Sequence, residues 1–295
     1  MATTVTLLDL DGGRRLEVRS VGSPELPAVL YCHGTPGAAV AFSTLEAHAE
    51  AAGLRLISWS RPGYGRSTTQ RNRSVRSIAS DAAAVVEHFS LTEFCVAGWS
   101  GGGPHALAIA AMTPGCVAAL IIAGVAPATV PGLSFLEGMG EENIEEFSLA
   151  FEGGEEFEAF IAEAAEAMVE VLARDLVDAL GTLAPPPDVK ALEGPLGEAV
   201  AASFRHGCAT TGAGWRDDDI AFVKPWGFDL DLVRVPVHIV QGTLDTMVPA
   251  AHGAWLVEHL RTATGVVFDE VGHISIWDHV AQEFLFLASQ FTKPS

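Results

Sequence analysis

Short, unbroken apolar runs alternate with amphipathic segments along most of the chain. Residues 28–33 read AVLYCH, 54–60 LRLISWS, 94–99 FCVAGW and 117–123 VAALIIA. A strand that is apolar at successive positions has no solvent face, so each run predicts a strand buried on both sides. Helical spacing fills the intervals at 42–52, 75–89 and 104–112. Strand patterns return at 236–241 and 265–271, followed by helical stretches at 250–260 and 274–290. Alternation of this kind predicts an α/β protein with a mostly parallel central sheet flanked by helices.

The rhythm breaks over residues 129–215. Phe157, Ile161, Ala164, Met168, Leu172, Leu176 and Leu180 recur at three- and four-residue steps, with Glu156, Glu163, Glu166 and Glu170 between them. That spacing predicts one face of a long amphipathic helix. Pro185, Pro186 and Pro187 are expected to end it, because proline lacks an amide donor and disfavours helix in the residue before it. The expected organisation is a core formed by residues 1–128 and 216–295, carrying a helical insertion at 129–215.

Composition narrows the possible partners. With 49% hydrophobic residues in 295, the chain can bury a large core, and its net charge of −20 repels phosphate backbones and anionic headgroups. Nucleic acid and membrane surfaces are therefore excluded as expected partners, and a small molecule is the expected ligand. The amino-terminal residues show no charged leader ahead of an apolar core, and the run 116–128 is too short to span a bilayer. A cytoplasmic protein is the expectation. Cys32, Cys95 and Cys116 fall inside predicted strands as small apolar fillers, with neither zinc nor disulfide spacing. Nothing in the pattern sets an oligomeric state.

One stretch carries chemistry. Gly98-Trp99-Ser100-Gly101-Gly102 places a hydroxyl between a buried strand and a helix start. A sharp strand-to-helix turn lifts a serine clear of the sheet but strains the backbone and crowds strand against helix, so Gly98 and Gly102 must be small. The following helix aims amides at the serine, which makes the Gly101 amide an oxyanion donor. Serine is a weak nucleophile, so it needs a base and an acid to orient that base. Catalytic groups in an open parallel sheet gather at the strands' carboxyl ends. Asp245 follows the run 236–241 and His273 follows 265–271, which makes them the acid and the base. His279, Asp231 and Asp269 are less well placed. His33 is read as a loop-shaping residue, and His105 either packs in the core or approaches the pocket. Asp217, Asp218 and Asp219 are read as a solvated junction, since three consecutive carboxylates cannot turn toward one cation.

These segments resemble those of α/β-hydrolase-fold enzymes over nearly the whole chain. HGTPG at 33–37 is similar to the loop that supplies that family's second oxyanion donor, which implies the Thr35 amide. RPGYGRS at 61–67, QGTLDTMVP at 241–249 and GHIS at 272–275 resemble the family's next turn, its acid loop and its histidine loop. The order Ser100, Asp245, His273 is the family's order of serine, acid and histidine. The resemblance implies a serine hydrolase working through an acyl-enzyme without cofactor or metal, with the insertion as a cap over the serine. Related dehalogenases and epoxide hydrolases carry an aspartate at the elbow, so Ser100 points to a small ester or related carbonyl substrate. HGTPG also departs from the HGGG of many lipases.

Two alternatives remain open from sequence. Residues 137–178 hold fourteen acidic side chains and one basic, Arg174. A solvated helix face accounts for this charge. A cap that selects a cationic group, as in the proline iminopeptidases that HGTPG also resembles, is the other reading. A protein of the same fold that binds a small ligand without turnover is the alternative of a different class.

Overall fold

Successive residues of the central strands face opposite cores, which is why their sequences do not alternate. In the computed structural model, which describes residues 2–291, Leu30, Val96, Ile121 and Ile239 lie in the core on one face of the sheet. Their neighbours Val29, Tyr31, Ala97, Leu120, Ile122 and Val240 lie in the core on the other.

The chain runs β1 (Thr3–Asp9), β2 (Arg15–Val21), β3 (Ala28–Cys32), α1 (Ser43–Ala51), β4 (Arg55–Trp59), α2 (Ile78–His88), β5 (Phe94–Trp99), α3 (Gly102–Met112) and β6 (Cys116–Ile122). Six helices follow before the sheet resumes: α4 (Glu141–Glu152), α5 (Glu155–Met168), α6 (Leu176–Leu180), α7 (Pro186–Leu192), α8 (Pro195–Cys208) and α9 (Ala213–Val223). Then come β7 (Val237–Gly242), α10 (Ala250–His259), β8 (Ala263–Phe268) and α11 (Ala281–Ser289). The described strands form one sheet in the order β1-β2-β4-β3-β5-β6-β7-β8. β2 pairs antiparallel with both β1 and β4, and every pairing from β4 to β8 is parallel. The expected α/β architecture is the observed one.

Several local expectations need correction. The long helix stops at Met168; α6 begins only at Leu176, and Leu172 between them is 41% exposed. The prolines do not end a helix but open one, with Pro186 in the first turn of α7, where a missing amide costs nothing. Residues 274–290 are split into a short 3-10 turn at Ser275–Asp278 and α11. The β1–β2 hairpin was not expected, and α9 runs across residue 215.

Candidate active site

β5 delivers Ser100 into the turn before α3 with φ +56°, a left-handed backbone that costs a non-glycine residue on the order of 1–3 kcal/mol. Neighbours hold it there. The Ser100 amide donates to the Ile122 carbonyl at 2.9 Å, and the Gly103 amide donates to the Ser100 carbonyl at 2.9 Å. A Cβ on Gly98 would land on the Gly102 carbonyl, and one on Gly102 would land on the Cys32 carbonyl. Both positions need glycine because strand, turn and the loop after β3 share the space.

That loop brings Thr35 beside Gly101. A Cβ at 101 would stand 2.8 Å from Thr35 Cβ and 3.0 Å from the Phe222 ring. Among the described residues, neither the Thr35 nor the Gly101 amide has a hydrogen-bond acceptor. Gly101 also caps the N-terminus of α3, where amides are unpaired and the helix dipole is positive.

Asp245 and His273 meet across two loops. The Leu244 amide donates to the Val271 carbonyl at 2.9 Å and the Thr243 amide to the Phe268 carbonyl at 3.0 Å, which ties the loops together. His273 Nδ1 donates to Asp245 Oδ2 at 2.8 Å. The other carboxylate oxygen accepts the Met247 and Val248 amides at 2.9 and 2.7 Å, and Gln241 Nε2 lies 3.2 Å from Oδ2. Burial pushes the Asp245 carboxyl above its ordinary value, against the pull of the His273 imidazole and the Val248 amide. With Nδ1 committed to the carboxylate, Nε2 of His273 is left to act as a base.

His273 stacks on Trp99, the residue before Ser100, with ring centroids 5.3 Å apart. The Trp99 indole donates to the His273 carbonyl at 3.2 Å. The Ser100 hydroxyl itself makes no side-chain hydrogen bond among the described residues. The structure therefore joins Asp245 to His273 directly and sets Ser100 next to their packing partner. A cavity of about 590 Å³ opens onto Ser100, Thr35 and Gly101. Its walls are mostly apolar, including Val125, Phe147, Met168, Leu183, Phe222 and Met247.

The remaining histidines separate by environment. His33 Nδ1 donates to the Gly34 carbonyl at 2.7 Å and Nε2 accepts the Arg61 amide at 3.1 Å, so it shapes the loop as expected. Burial and the Arg61 charge hold its pKa well below the usual range. His105 is fully buried and donates from Nδ1 to the Gly101 carbonyl at 2.8 Å. Burial and the same arginine push it down to about 3, so its 3.5 Å approach to Asp218 is not an ion pair.

Sequence reasoning missed the groups behind these loops. Asp217, Asp218 and Asp219 lie buried on α9, with Asp218 and Asp219 at 0% exposure, so the solvated junction is wrong. At about 100° per residue the three carboxylates point to different partners. Asp217 pairs with Arg216 at 2.7 Å. Asp218 accepts from Arg61, Arg73, Tyr64 and the Thr35 hydroxyl. Burial alone would raise Asp218, but the two guanidinium groups hold it well below the ordinary carboxylate range. Burial and the adjacent Glu146 carboxyl push Asp219 well above it. Asp188 on α7 was also missed; it accepts the Ile274 and Ser275 amides at 3.0 and 2.8 Å. For Asp218 the sequence offered one chemical signal, Arg61 in RPGYGRS with no ligand to explain it; for Asp188 and Asp219 it offered none. Glu156, Glu166 and Glu170 are exposed, as a solvated face requires, whereas Glu163, also exposed, stands at the wall of the cavity.

Residues 27–280 match the model of the alpha/beta hydrolase fold family, and the chain belongs to that family. A pimeloyl-[acyl-carrier protein] methyl ester esterase from Aromatoleum aromaticum is 25% identical over 260 residues, 86% of this chain and 93% of the relative. Among solved structures, an esterase from Rhodococcus sp. ECU1013 superposes with a TM-score of 0.68 at 22% identity, covering 98% of this chain and 99% of that one. An esterase from Exiguobacterium antarcticum gives 0.67 at 18% identity, with 97% and 98% covered. At these identities the structural likeness speaks for the fold alone. Among the described residues, no helix is long and apolar enough to cross a membrane.

Proposed function

We propose that the chain is a serine hydrolase that cleaves a small, largely apolar ester through an acyl-enzyme. The observation that carries this reading is the left-handed Ser100 at the wall of a cavity, beside the unpaired amides of Thr35 and Gly101. His273, oriented by Asp245, takes the Ser100 proton at Nε2 as the hydroxyl oxygen attacks the acyl carbon. The Thr35 and Gly101 amides bind the oxyanion that forms. When the tetrahedral adduct collapses, the same imidazole protonates the departing alkoxide. Water, deprotonated by His273, then attacks the acyl-enzyme, and a carboxylic acid leaves with Ser100 restored.

The hydroxyl must turn toward Nε2 when substrate arrives, a tightening common in sites of this type. A cavity of about 590 Å³ lies within the usual size range of small-molecule sites. Carboxyl side chains at its wall disfavour substrates that carry a second carboxylate, and the curated relative's ester chemistry supports ester over amide. The inserted helices, read as a cap over residues 129–215, supply most of the wall.

A panel of p-nitrophenyl esters of graded chain length, run with wild type and Ser100→Ala, tests the reading. Turnover should fall on the order of a millionfold in the variant. Undiminished hydrolysis by a folded S100A protein would overturn it. One observation favours a second reading: Glu142, Glu145, Glu146, Glu163 and Asp219 line the cavity, and among the described residues no lysine, arginine or histidine does. An aminopeptidase selecting a cationic amine would cleave proline p-nitroanilide in preference to a neutral ester. A ligand-binding protein without turnover would leave every substrate intact.

A further inference from the structure

We infer that two buried carboxylates on the helices between β6 and β7, Asp188 on α7 and Asp218 on α9, are positioning residues, the first for the histidine loop and the second for the oxyanion loop. The inference rests on the serine-hydrolase reading and assigns it two groups that never touch substrate. Neither side chain lines the cavity.

Asp218 on α9 reaches across to the loop after β3. Its Oδ2 accepts the Thr35 hydroxyl at 2.8 Å, the Tyr64 hydroxyl at 2.9 Å, and Arg61 Nε and Nη2 at 3.1 and 2.6 Å. Arg73 bonds the other oxygen. The Arg61 guanidinium, fixed by this carboxylate, donates onward to the His33 carbonyl, to the Gly34 carbonyl at 3.0 Å and to Thr35 Oγ1 at 2.8 Å. Three consecutive loop residues are thus held by one ion pair. Both members are buried, with side-chain exposures of 1% and 0%, so solvent does not screen their interaction. The amide of Thr35 is consequently aimed by its own side chain, which sits between Arg61 and Asp218.

Asp188 on α7 does the same for His273. It accepts the amides of the next two residues, Ile274 and Ser275, and also the Ser275 hydroxyl at 2.7 Å. That hydroxyl oxygen accepts the Gly272 amide at 2.9 Å, so the imidazole is bracketed on both sides. A Cβ on Gly272 would collide with the Asp188 carboxylate, which explains the glycine at that position. Asp188 makes no hydrogen bond to the Asp245 carboxylate or the His273 ring among the described residues; it holds the backbone that carries the ring, and its charge adds to the upward push on Asp245. Docking of α7 and α9 and assembly of the reaction site are therefore one event.

The test uses the full chain with Asp218→Asn, Asp188→Asn, Thr35→Val and Thr35→Ser. Thr35→Val keeps the amide and removes the hydroxyl; it covers the case in which D218N, with two arginines left unpaired, does not fold. A small misplacement of a reacting group costs about a hundredfold in rate, so kcat should fall by about that factor in T35V and D188N with KM within about threefold. T35S should restore kcat to within about threefold of wild type, a rescue that simple packing loss would not give. Amide hydrogen exchange supplies a readout independent of turnover: T35V should speed exchange at 33–37 but not at 272–275, and D188N the reverse. Unchanged exchange in both variants, or loosened loops with unchanged kcat, overturns the inference while leaving the hydrolase reading intact. A wild type that neither turns over an ester nor reacts with a fluorophosphonate overturns both.

Discussion

Replacing Asp245 with asparagine tests the proposed base most sharply, because the two orientations of the new amide have unequal costs. With its oxygen toward the Met247 and Val248 amides, asparagine keeps both of those bonds and turns its NH2 toward His273 Nδ1, losing only the bond from Gln241 Nε2, which still donates to the Val248 carbonyl. The opposite orientation keeps the histidine bond and strands two buried backbone donors, each costing about 1–3 kcal/mol. The first orientation wins. It forces His273 to accept at Nδ1 and to carry its proton on Nε2, where it cannot receive the Ser100 proton. The comparable change in a serine protease costs about ten-thousandfold in kcat, equivalent to about 5 kcal/mol in the barrier. Steady-state hydrolysis of p-nitrophenyl butyrate should show that loss, with circular dichroism and the urea midpoint showing a retained fold. A D245N protein within tenfold of wild-type kcat would refute the tautomer argument.

Three further changes probe other parts of the account. Gly101→Ala adds a methyl that presses on Thr35 and Phe222; kcat should fall about a hundredfold and urea stability by about 1–3 kcal/mol, and an active variant would contradict the crowding. Trp277 is fully buried against Phe42, Trp99 and Tyr31, so Trp277→Ala should cost about 3–5 kcal/mol in urea unfolding; a loss below about 1 kcal/mol would show that the site collapses freely. His206 Nε2 lies 2.8 Å from Glu17, whose hydrogen bond and charge raise the histidine above its usual 6.5 while burial opposes. Burial alone would raise Glu17, but His206, the Arg66 amide and Ser60 hold it below 4.5. The histidine's contribution is full below pH 6.5 and is lost as pH rises through its raised value; the glutamate's is present above 4.5 and is lost as pH falls through its depressed value. The stability advantage of wild type over His206→Gln should therefore shrink between pH 6 and pH 9 in urea titrations, and a constant or growing gap would contradict the pairing.

The interior of the sheet was legible because burial on both faces leaves continuous apolar runs; FCVAGW coincides with β5 residue for residue. The outer hairpin was not, since β1 is largely exposed and β2 carries Glu17 and Arg19, whose charges are satisfied by His206 and Glu46 from distant segments. The spacing from Phe157 to Leu180 marked most of the apolar face, for Phe157, Ile161, Leu176 and Leu180 are buried and Ala164 and Met168 partly so, but Leu172 is exposed. It could not mark the break after Met168, where neither proline nor glycine stands. Ser100 and Asp245 were readable because each follows a buried strand; His273 follows β8, whose apolar run marked a strand although most of its residues are exposed. Asp188 and Asp218 were not, because a buried carboxylate is betrayed only by its donors, and Arg61 and Arg73 lie some 150 positions upstream of Asp218.

The most direct test of the central claim is intact-mass analysis after treatment with a fluorophosphonate, followed by peptide mapping. One adduct per chain is expected, on Ser100, formed slowly or not at all in His273→Ala. A folded wild type that stays unlabelled, or that carries its adduct on another residue, would contradict it.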